Sequence, residues 1–390
     1  MKIMIAVHTY YPEKNGVQQV TQYIAEGLAK NHEVLVMSNW YEGMQRQEEH
    51  ESVKIERIVA KRNLLHIFCG EKKTYIDRIR EYHPDVLICV CTQSWPFDWV
   101  VRELDKIDCV KILYTHGYSE CHKEYRTLDH LVHRRFGKAF NSVLNRAYYQ
   151  RAYKAIEKYD LVTYLSKVDI GVWYAEKHHL ENGKILGNAV EDRFFDPTFQ
   201  KDKKSQKDGI VRYLYVANYS DKKGQEMVLR AFYASESKDA RLIFCGQVTN
   251  AYYEHLLEVK KTLDEKYGQK EVAFLHDLSR EEIAVLYGES DIFVCGSLIE
   301  AYSISLCEAA CARMAVISTD VGNAATIPEV LIVHSTEEMA EKMTDLYQEK
   351  AERERRAKAL ETYAFANCKI SDKVAWMERE IERLCKERQR

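Results

Sequence analysis

The sequence predicts an α/β protein built from parallel sheets in two domains. Short runs of apolar, β-branched residues alternate with amphipathic stretches of helical length from one end of the chain to the other, and this alternation is typical of βαβ units. At 390 residues, of which 46% are hydrophobic, the chain is too long for one ordinary core. We therefore expect two domains of about 150 to 200 residues each.

The first half begins with a strand and a helix. Apolar residues that include Val20, Ile24 and Leu28 recur with helical period, so they predict a helix from Val17 to Lys30. The strands predicted for this half lie at residues 2–7, 33–38, 53–58, 85–91, 110–115 and 160–165.

The second half has the same alternation. Helices should begin near residues 280 and 336, because Ser279-Arg-Glu-Glu282 and Ser335-Thr-Glu-Glu338 have the capping-box pattern. A last helix at 371–386 carries an apolar stripe and therefore needs a surface on which to dock. The predicted strands are 211–217, 240–246, 272–275, 291–296 and 315–319.

A polar, charged run at Gln200–Gly209 separates the halves and is the predicted linker. We therefore predict an N-terminal domain over residues 1–200 and a C-terminal domain over residues 201–370. The final helix, at 371–390, is expected to pack back toward the N-terminal domain.

Composition argues against several classes of protein. The apolar stretches are strand-sized, so we expect neither a signal peptide nor a membrane helix, and we expect a cytoplasmic chain. The eleven cysteines are scattered, and the sequence has no Cys-x-x-Cys and no Asp-x-Asp. We therefore expect no metal site and no cofactor.

Residues 122–158 form a local basic segment, with nine Lys or Arg against three acidic residues, although the net charge of the chain is only −3. Such a segment favours an anionic membrane surface or a phosphate-bearing acceptor, and a solvated helix face is the alternative. Nucleic acid is not expected, because the chain as a whole is not basic. Interleaved aromatic residues favour the membrane surface: Tyr125, Phe136, Phe140, Tyr148, Tyr149 and Tyr153.

Two loops have the pattern of phosphate sites, in which a strand leads through a loop into a helix N-terminus. The first ends in Asn15-Gly16 and lacks G-x-G-x-x-G, which disfavours a nicotinamide-dependent oxidoreductase. A simple turn is the alternative there. The second contains Lys222 and Lys223 before a helix. Cations at that position are unfavourable to the helix dipole unless an anion neutralises them, although a solvated lysine pair is the other interpretation.

Two carboxylates and an imidazole complete the candidate site. Glu300 and Glu308 stand where a strand at 291–296 gives way to a helix, so amide groups, a helix dipole and carboxylates surround one crevice suited to a phosphorylated, hydroxyl-rich ligand. His116 follows the strand at 110–115, at the end that faces such a crevice. His8, at the end of the first strand, is the alternative histidine.

Taken together, these motifs resemble those of the family 4 retaining glycosyltransferases of the bacterial surface-polysaccharide type. The likeness covers nearly the whole length and rests on the joint order and spacing of the motifs. It implies the GT-B fold, with two facing Rossmann-like domains around a deep cleft, an N-terminal acceptor domain and a C-terminal nucleotide-sugar donor domain. The matching motifs are Tyr11-Pro12 with Asn15-Gly16, Thr115-His116-Gly117, Tyr164-Leu-Ser166, Asn188-Ala-Val-Glu191 with Phe195, Lys223-Gly224, Glu300 to Glu308, and Thr319-Asp-Val-Gly322.

The resemblance implies a role for each matching residue. Lys223 should bind the diphosphate of the donor, Glu308 the ribose hydroxyls, and Glu300 the hydroxyls of the transferred sugar. Gly16 should let its loop approach the phosphates, and His116 should lie near the reacting face of the sugar. The remaining donor contacts are expected from the backbone of Ala301, Tyr302, Ser303 and Ile304 and from Asn218 and Lys222.

Two departures from the family pattern concern the donor loops. Asn218 stands where the family usually has an arginine, and Lys222 is expected to compensate for the lost phosphate contact. Ala301-Tyr302-Ser303 replaces a glycine-aromatic-glycine sequence, which bears on how closely the backbone approaches the donor.

The expected reaction is a metal-independent, retaining transfer of a hexosyl or N-acetylhexosaminyl group. The donor should be a UDP-sugar rather than a GDP-sugar, and the acceptor a lipid-linked glycan at the inner face of the membrane. His116, Glu300 and Lys223 are the expected catalytic residues. The alternatives are a GT-B enzyme with a small soluble acceptor or an epimerase, neither of which needs lipid, and a catalytically silent sugar-nucleotide-binding module.

Overall fold

The structure is a computed structural model that describes residues 1–13, 16–118, 136–195 and 209–390. It divides into two compact units, the first formed by Met1–Asn188 with Ile370–Arg390 and the second by Ala189–Lys369. The second unit thus begins twelve residues before the predicted boundary (201 − 189 = 12). The reason is that Val190 and Phe194 belong to its core, and Val190 forms a β-bridge with Lys369. Apart from Gly209, the predicted linker lies outside the described residues.

An eight-stranded sheet forms the centre of the first unit, in the order β10-β9-β8-β7-β1-β2-β4-β3. All neighbouring strands are parallel except β3 and β4. The strands are β1 Lys2–Ala6, β2 Glu33–Asn39, β3 Gln47–His50, β4 Val53–Ile58, β7 Val86–Val90, β8 Val110–Tyr114, β9 Leu161–Tyr164 and β10 Gly183–Ile185, and a separate hairpin pairs β5 Ala60–Arg62 with β6 Phe68–Gly70.

Helices cover this sheet on both faces, since the central strands β7 and β8 are buried at every position. The last helix packs on the first: Met377 and Ile381 are buried, and His32 contacts Glu378 at 3.1 Å. The helices described in this unit are α1 Gly16–Ala29, α2 Lys72–Tyr82, α3 Trp95–Val100, α4 Phe136–Ile156, α5 Ile170–His178 and, after the second unit, α12 Ile370–Arg388.

A fully parallel six-stranded sheet forms the centre of the second unit, in the order β13-β12-β11-β14-β15-β16. The strands are β11 Val211–Val216, β12 Ala240–Gly246, β13 Glu271–His276, β14 Ile292–Cys295, β15 Ala315–Thr319 and β16 Leu331–Val333. The helices are α6 Gln225–Ala234, α7 Ala251–Tyr267, α8 Arg280–Glu289, α9 Ile304–Cys311, α10 Thr336–Gln348 and α11 Lys350–Asn367.

Both strand orders reverse direction once, between β1 and β7 in the first unit and between β11 and β14 in the second. Open α/β sheets bind ligands outside the carboxyl ends of the strands at such a switch point. We therefore expect ligand sites at the loops that follow β1, β7, β11 and β14. The prediction of two domains with parallel α/β sheets is confirmed, and no helix in the described ranges is long and apolar enough to span a membrane.

Candidate active site

The loops after β11 and β14 touch at the switch point of the second unit. Gly224 has φ +60°, and a Cβ there would lie 2.0 Å from the carbonyl oxygen of Gly296. The amide of Leu298 also donates to the carbonyl oxygen of Lys222 at 2.8 Å. Two residues without side chains thus let the lysine loop lie directly against the loop that carries the first glutamate.

This contact brings Lys223 to Glu300. The ammonium Nζ lies 2.5 Å from Glu300 Oε1, which also accepts a 2.8 Å hydrogen bond from the Ser297 hydroxyl. Tyr215 holds Lys223 and Ser297 in place, because its hydroxyl donates to the Lys223 carbonyl at 2.6 Å and lies 2.8 Å from Ser297 Oγ. Two of the three predicted catalytic residues therefore form one ion pair that is partly open to solvent.

Glu308 belongs to a second ion pair. Its side chain is 3% exposed, and its Oε1 lies 2.6 Å from Arg280 Nη2. The same guanidinium contacts Glu191 Oε1 through Nη2 at 3.0 Å and through Nε at 3.1 Å. Glu300 and Glu308, eight positions apart in sequence, are thus held by different cations.

The segment between the two glutamates opens helix α9. Ser303 is the N-cap: its hydroxyl accepts a bond from the Leu306 amide at 3.3 Å, and its own amide donates to Asn323 Oδ1 at 2.8 Å. Of the other predicted backbone contacts, Ala301 is exposed and Tyr302 and Ile304 are half-buried. This turn is a polar helix start of the kind that binds anions.

The two remaining residues of the predicted donor set, Asn218 and Lys222, are exposed. The contacts found for them run through the backbone: the Asn218 carbonyl accepts from Gln225 Nε2 at 3.0 Å, and the Lys222 carbonyl accepts from Leu298. Their side chains are therefore placed beside Lys223 without taking part in its ion pair.

At the switch point of the first unit a cavity of about 440 Å³ lies outside the carboxyl ends of the strands. The residues that line it come from the loops after β1, β2 and β7 and from the hairpin β5–β6; they include His8, Trp40, Tyr41, Arg62, Phe68 and Gln93. A larger cavity, about 730 Å³, lies at the amino ends of β7 and β8 near His83 and Asp108. We assign the smaller one to function, because the loops at carboxyl ends form ligand sites.

His116 follows β8 and is almost fully buried. Among the residues that the structure describes, no hydrogen bond in good geometry reaches either ring nitrogen, and the nearby Asn188 Oδ1 is likewise without a partner. Burial lowers the pKa of His116 to about 4, with Asn188 opposing the shift, so the imidazole is neutral at physiological pH. A buried polar group without a partner fits one that awaits a ligand.

His8, the alternative histidine, lines the cavity described above, and its buried Nδ1 has no partner among the described residues. Burial and the charge of Arg62 lower its pKa. Gly16 begins helix α1 and is exposed, and Asn15 lies outside the described residues. The loop before it is anchored, since Arg57 Nη2 donates to the carbonyl of Tyr11 at 2.6 Å.

The basic segment is only partly described, since Tyr125, Arg134 and Arg135 lie outside the described residues. Within α4, Tyr149 is buried and Tyr148 donates to Asp98 at 2.7 Å. These two aromatic residues stabilise the core of the unit, in contrast to their predicted place at a membrane surface. Phe136 and Phe140 are exposed.

Sequence reasoning missed Arg280, which joins the two most buried carboxylates of the site. A signal was present, because Arg280 is the first residue of α8, directly after the N-cap Ser279. A cation there is unfavourable to the helix dipole unless a carboxylate neutralises it, which is the argument that singled out Lys222 and Lys223. In the described ranges no group of three or more His, Cys, Asp or Glu side chains could hold a metal ion.

Comparison with known families matches each half of the chain to a model. Residues 14–168 match "Glycosyltransferase Family 4", and residues 196–362 match "Glycosyl transferases group 1". A curated relative, the phosphatidylinositol N-acetylglucosaminyltransferase GPI3 subunit of Saccharomyces cerevisiae, is 28% identical over 202 residues. The match covers 50% of this chain and 42% of that protein, so the chain spans less than half the length of this relative.

Solved structures match over the whole chain. Sucrose-phosphate synthase from Thermosynechococcus elongatus has a TM-score of 0.75 at 15% identity and covers 98% of both chains. HepE of Anabaena in complex with UDP-glucose has a TM-score of 0.72 at 13% identity and covers 98% of this chain and 99% of that one. These neighbours are GT-B glycosyltransferases, so the predicted fold family is confirmed.

Proposed function

This chain belongs to the family 4 glycosyltransferases of the GT-B fold, and we propose that it catalyses a retaining, metal-independent transfer of a hexosyl or N-acetylhexosaminyl group. The donor is a nucleoside diphosphate sugar and the acceptor carries a hydroxyl. A UDP-sugar is favoured, since the HepE neighbour was solved with UDP-glucose. An N-acetylhexosaminyl group is supported by the name of the GPI3 relative.

The observation that carries this proposal is the Lys223–Glu300 pair at the switch point of the second unit. A lysine ammonium has three N–H donors, and Glu300 occupies one of them, so two can reach the oxygens of a diphosphate. Both contacts found for Glu300 involve Oε1, which leaves Oε2 to accept from a sugar hydroxyl. One ion pair can therefore bind the leaving group and orient the transferred sugar.

Nucleotide binding falls to Glu308 and the start of α9. Arg280 holds Glu308 in a fixed position, from which a carboxylate can accept two bonds from a ribose diol. The amide groups of residues 301, 302, 304 and 305 and the positive end of the helix dipole favour the diphosphate. Electrostatic stabilisation of the departing charge is the main requirement of this reaction, and each well-placed donor contributes about 2–4 kcal/mol.

The proposed step needs no protein nucleophile. The bond from the anomeric carbon to the donor phosphate breaks, the acceptor oxygen bonds to that carbon on the same face, and the hydroxyl proton passes to the departing phosphate oxygen. The neutral imidazole of His116 can accept one hydrogen bond and donate another, which suits a group that holds a hydroxyl near the reacting face.

For the acceptor we propose a lipid-linked glycan at the inner face of the membrane, in surface polysaccharide synthesis. The basic helix α4 supports this proposal, because it has four Lys or Arg and no Asp or Glu. The name of the GPI3 relative, a phosphatidylinositol N-acetylglucosaminyltransferase subunit, also supports a lipid acceptor.

Thermal unfolding with added nucleotides tests the donor assignment. UDP and UDP-sugars should raise the unfolding midpoint more than GDP does, because a ligand that binds only the folded state stabilises it by mass action. Glu300→Ala should retain UDP binding and lose sugar transfer. The control is Glu329→Ala, since Glu329 is also a partly exposed, ion-paired glutamate of the second unit, and it should keep wild-type turnover.

Two outcomes contradict the proposal in different ways. UDP binding without release of sugar from any UDP-sugar would favour the silent binding module, for which the exposed Asn218 in place of an arginine is the supporting feature. Wild-type turnover in Glu300→Ala would refute the assignment of the site.

A further inference from the structure

The hairpin β5–β6 of the first unit presents three apolar side chains to solvent. Leu64, Leu65 and Ile67 at its tip are 90%, 56% and 55% exposed. A cluster of large, solvent-exposed apolar side chains marks a surface that binds a membrane or another molecule. We call these three residues the hairpin tip.

The hairpin tip is an ordered turn on a fixed base. Asn63 Oδ1 accepts bonds from the amides of Leu65 and Ile67, each at 2.9 Å. At the base, Trp99 Nε1 donates to the Phe68 carbonyl at 3.1 Å, and the Ala60 amide donates to Asn39 Oδ1 at 2.7 Å. The exposed side chains are therefore held outward by hydrogen bonds.

Helix α4 lies beside the hairpin tip and also carries exposed apolar side chains. Phe136, Phe140 and Val143 are 65%, 48% and 51% exposed, and their spacing of four and three residues places them on one stripe of the helix. The ring of His66, in the hairpin tip turn, lies 3.1 Å through Nε2 from Asn141 Oδ1 of this helix. Hairpin and helix thus join at one hydrogen bond, and each carries three exposed apolar side chains.

The charged residues of the hairpin and of helix α4 are all basic, because residues 60–70 and 136–156 contain no Asp or Glu. Lys61 and Arg62 at the hairpin, and Lys138 and Arg146 on the helix, are exposed. Exposed apolar residues ringed by cations are the pattern of proteins that lie on an anionic bilayer, where apolar groups enter the interface and Lys or Arg meet the lipid phosphates.

We propose that the hairpin tip and the Phe136–Val143 stripe form one docking surface for an anionic lipid bilayer. The inference rests on the proposed lipid-linked acceptor and identifies the part of the chain that meets the membrane. The hairpin base, through Arg62 and Phe68, also lines the 440 Å³ cavity at the switch point. Docking by the hairpin tip therefore places a cavity with cationic and aromatic walls beside the lipid head groups, where a phosphate-bearing lipid can enter it.

Flotation with vesicles tests the surface. The wild-type chain should float with phosphatidylcholine vesicles that contain about one third phosphatidylglycerol and should not float with phosphatidylcholine alone, and added salt should weaken the binding. The triple variant Leu64→Asn, Leu65→Asn, Ile67→Asn should lose at least about tenfold in partitioning. The control is Val248→Asn with Val285→Asn, which changes two residues of the second unit that are 61% and 56% exposed and should float as the wild type does.

Folding and donor binding are measured on the same proteins. The triple variant should keep the wild-type unfolding midpoint and its shift with UDP, because its three residues are exposed. Equal flotation of the triple variant and the wild type overturns the inference. The inference is also overturned if the wild type does not bind vesicles and instead forms a dimer that the three substitutions dissociate. The hairpin tip would then bind a second copy of the chain. Absence of any UDP shift in the wild type would instead contradict the proposed function.

Discussion

Replacing Arg280 with methionine tests the most buried charges of the candidate site. Methionine keeps much of the apolar stem and removes the guanidinium, whose Cζ lies 6.0 Å from the centre of the Phe194 ring. Glu308 and Glu191, whose side chains are 3% and 9% exposed, would then lose the cation that both contact, although Glu191 keeps its ion pair with Arg193. The variant therefore isolates the contribution of charge neutralisation.

The expected loss follows from the burial of the three groups. Removing one partner of a fully buried ion pair costs about 3–5 kcal/mol, because the other charge stays buried and unpaired. The Arg280 side chain is 27% exposed, so solvent already screens part of the interaction, and we expect a loss of about 2–4 kcal/mol. For a unit of this size the midpoint of thermal unfolding should fall by about 5–15 °C.

Scanning calorimetry provides the assay. Arg355→Met is the matched control, since Arg355 also holds two carboxylates, those of Glu329 and Glu352, but at the surface, and it should melt at the wild-type midpoint. Equal midpoints for the Arg280 variant and the wild type would refute the reasoning, and so would an equal loss in the control.

Two further predictions concern the first unit and the loop contact of the second. Burial lowers the pKa of His116 from 6.5 to about 4, so the unfolded chain binds this proton first and the wild type should lose roughly 3 kcal/mol of stability as the pH falls through that interval. His116→Gln should lose less in urea titrations at the same pH values, and parallel losses would contradict the shift. Gly224→Ala should separate the loops, because its Cβ would lie 2.0 Å from the Gly296 oxygen, and should weaken UDP binding by about tenfold or more in calorimetric titration. The control Gly268→Ala also has positive φ, with nothing within 4 Å of its Cβ, and unchanged UDP binding in both variants would show that the loop contact is not needed.

The central strands could be predicted because burial on both faces leaves a plain sequence signal. Val86–Val90 is an unbroken apolar run, Val110–Tyr114 is apolar except for Lys111, and both are buried at every position. The predicted strands at 85–91 and 110–115 coincide with them. Edge strands lack this signal. Gln47–His50 is entirely polar and pairs with β4 only at the sheet edge, so its extended conformation depends on a neighbour that local sequence does not reveal.

The candidate site could be predicted residue by residue but not as pairs. The position of Lys223 before a helix and of Glu300 after a strand pointed to charged loops. Their direct contact joins residues 77 positions apart and depends on the close backbone approach of Gly224 to Gly296. A close approach of two backbones is a property of the folded sheet, and the local sequence around either glycine does not show which residue it will contact.

The two units carry different chemistry at the carboxyl ends of their strands, and the difference matches the two halves of the proposed reaction. In the second unit Lys223 is a partly exposed cation paired with one carboxylate, and its remaining N–H donors can stabilise the charge of a departing diphosphate. In the first unit His116 is buried and neutral. A neutral imidazole can donate one hydrogen bond and accept another, which suits an acceptor hydroxyl that must keep its proton until the bond between the sugar and the diphosphate breaks. A permanent cation at position 116 would only donate hydrogen bonds and could not accept one from the hydroxyl. The desolvation that keeps His116 neutral is therefore as much a part of the proposed mechanism as the charge on Lys223.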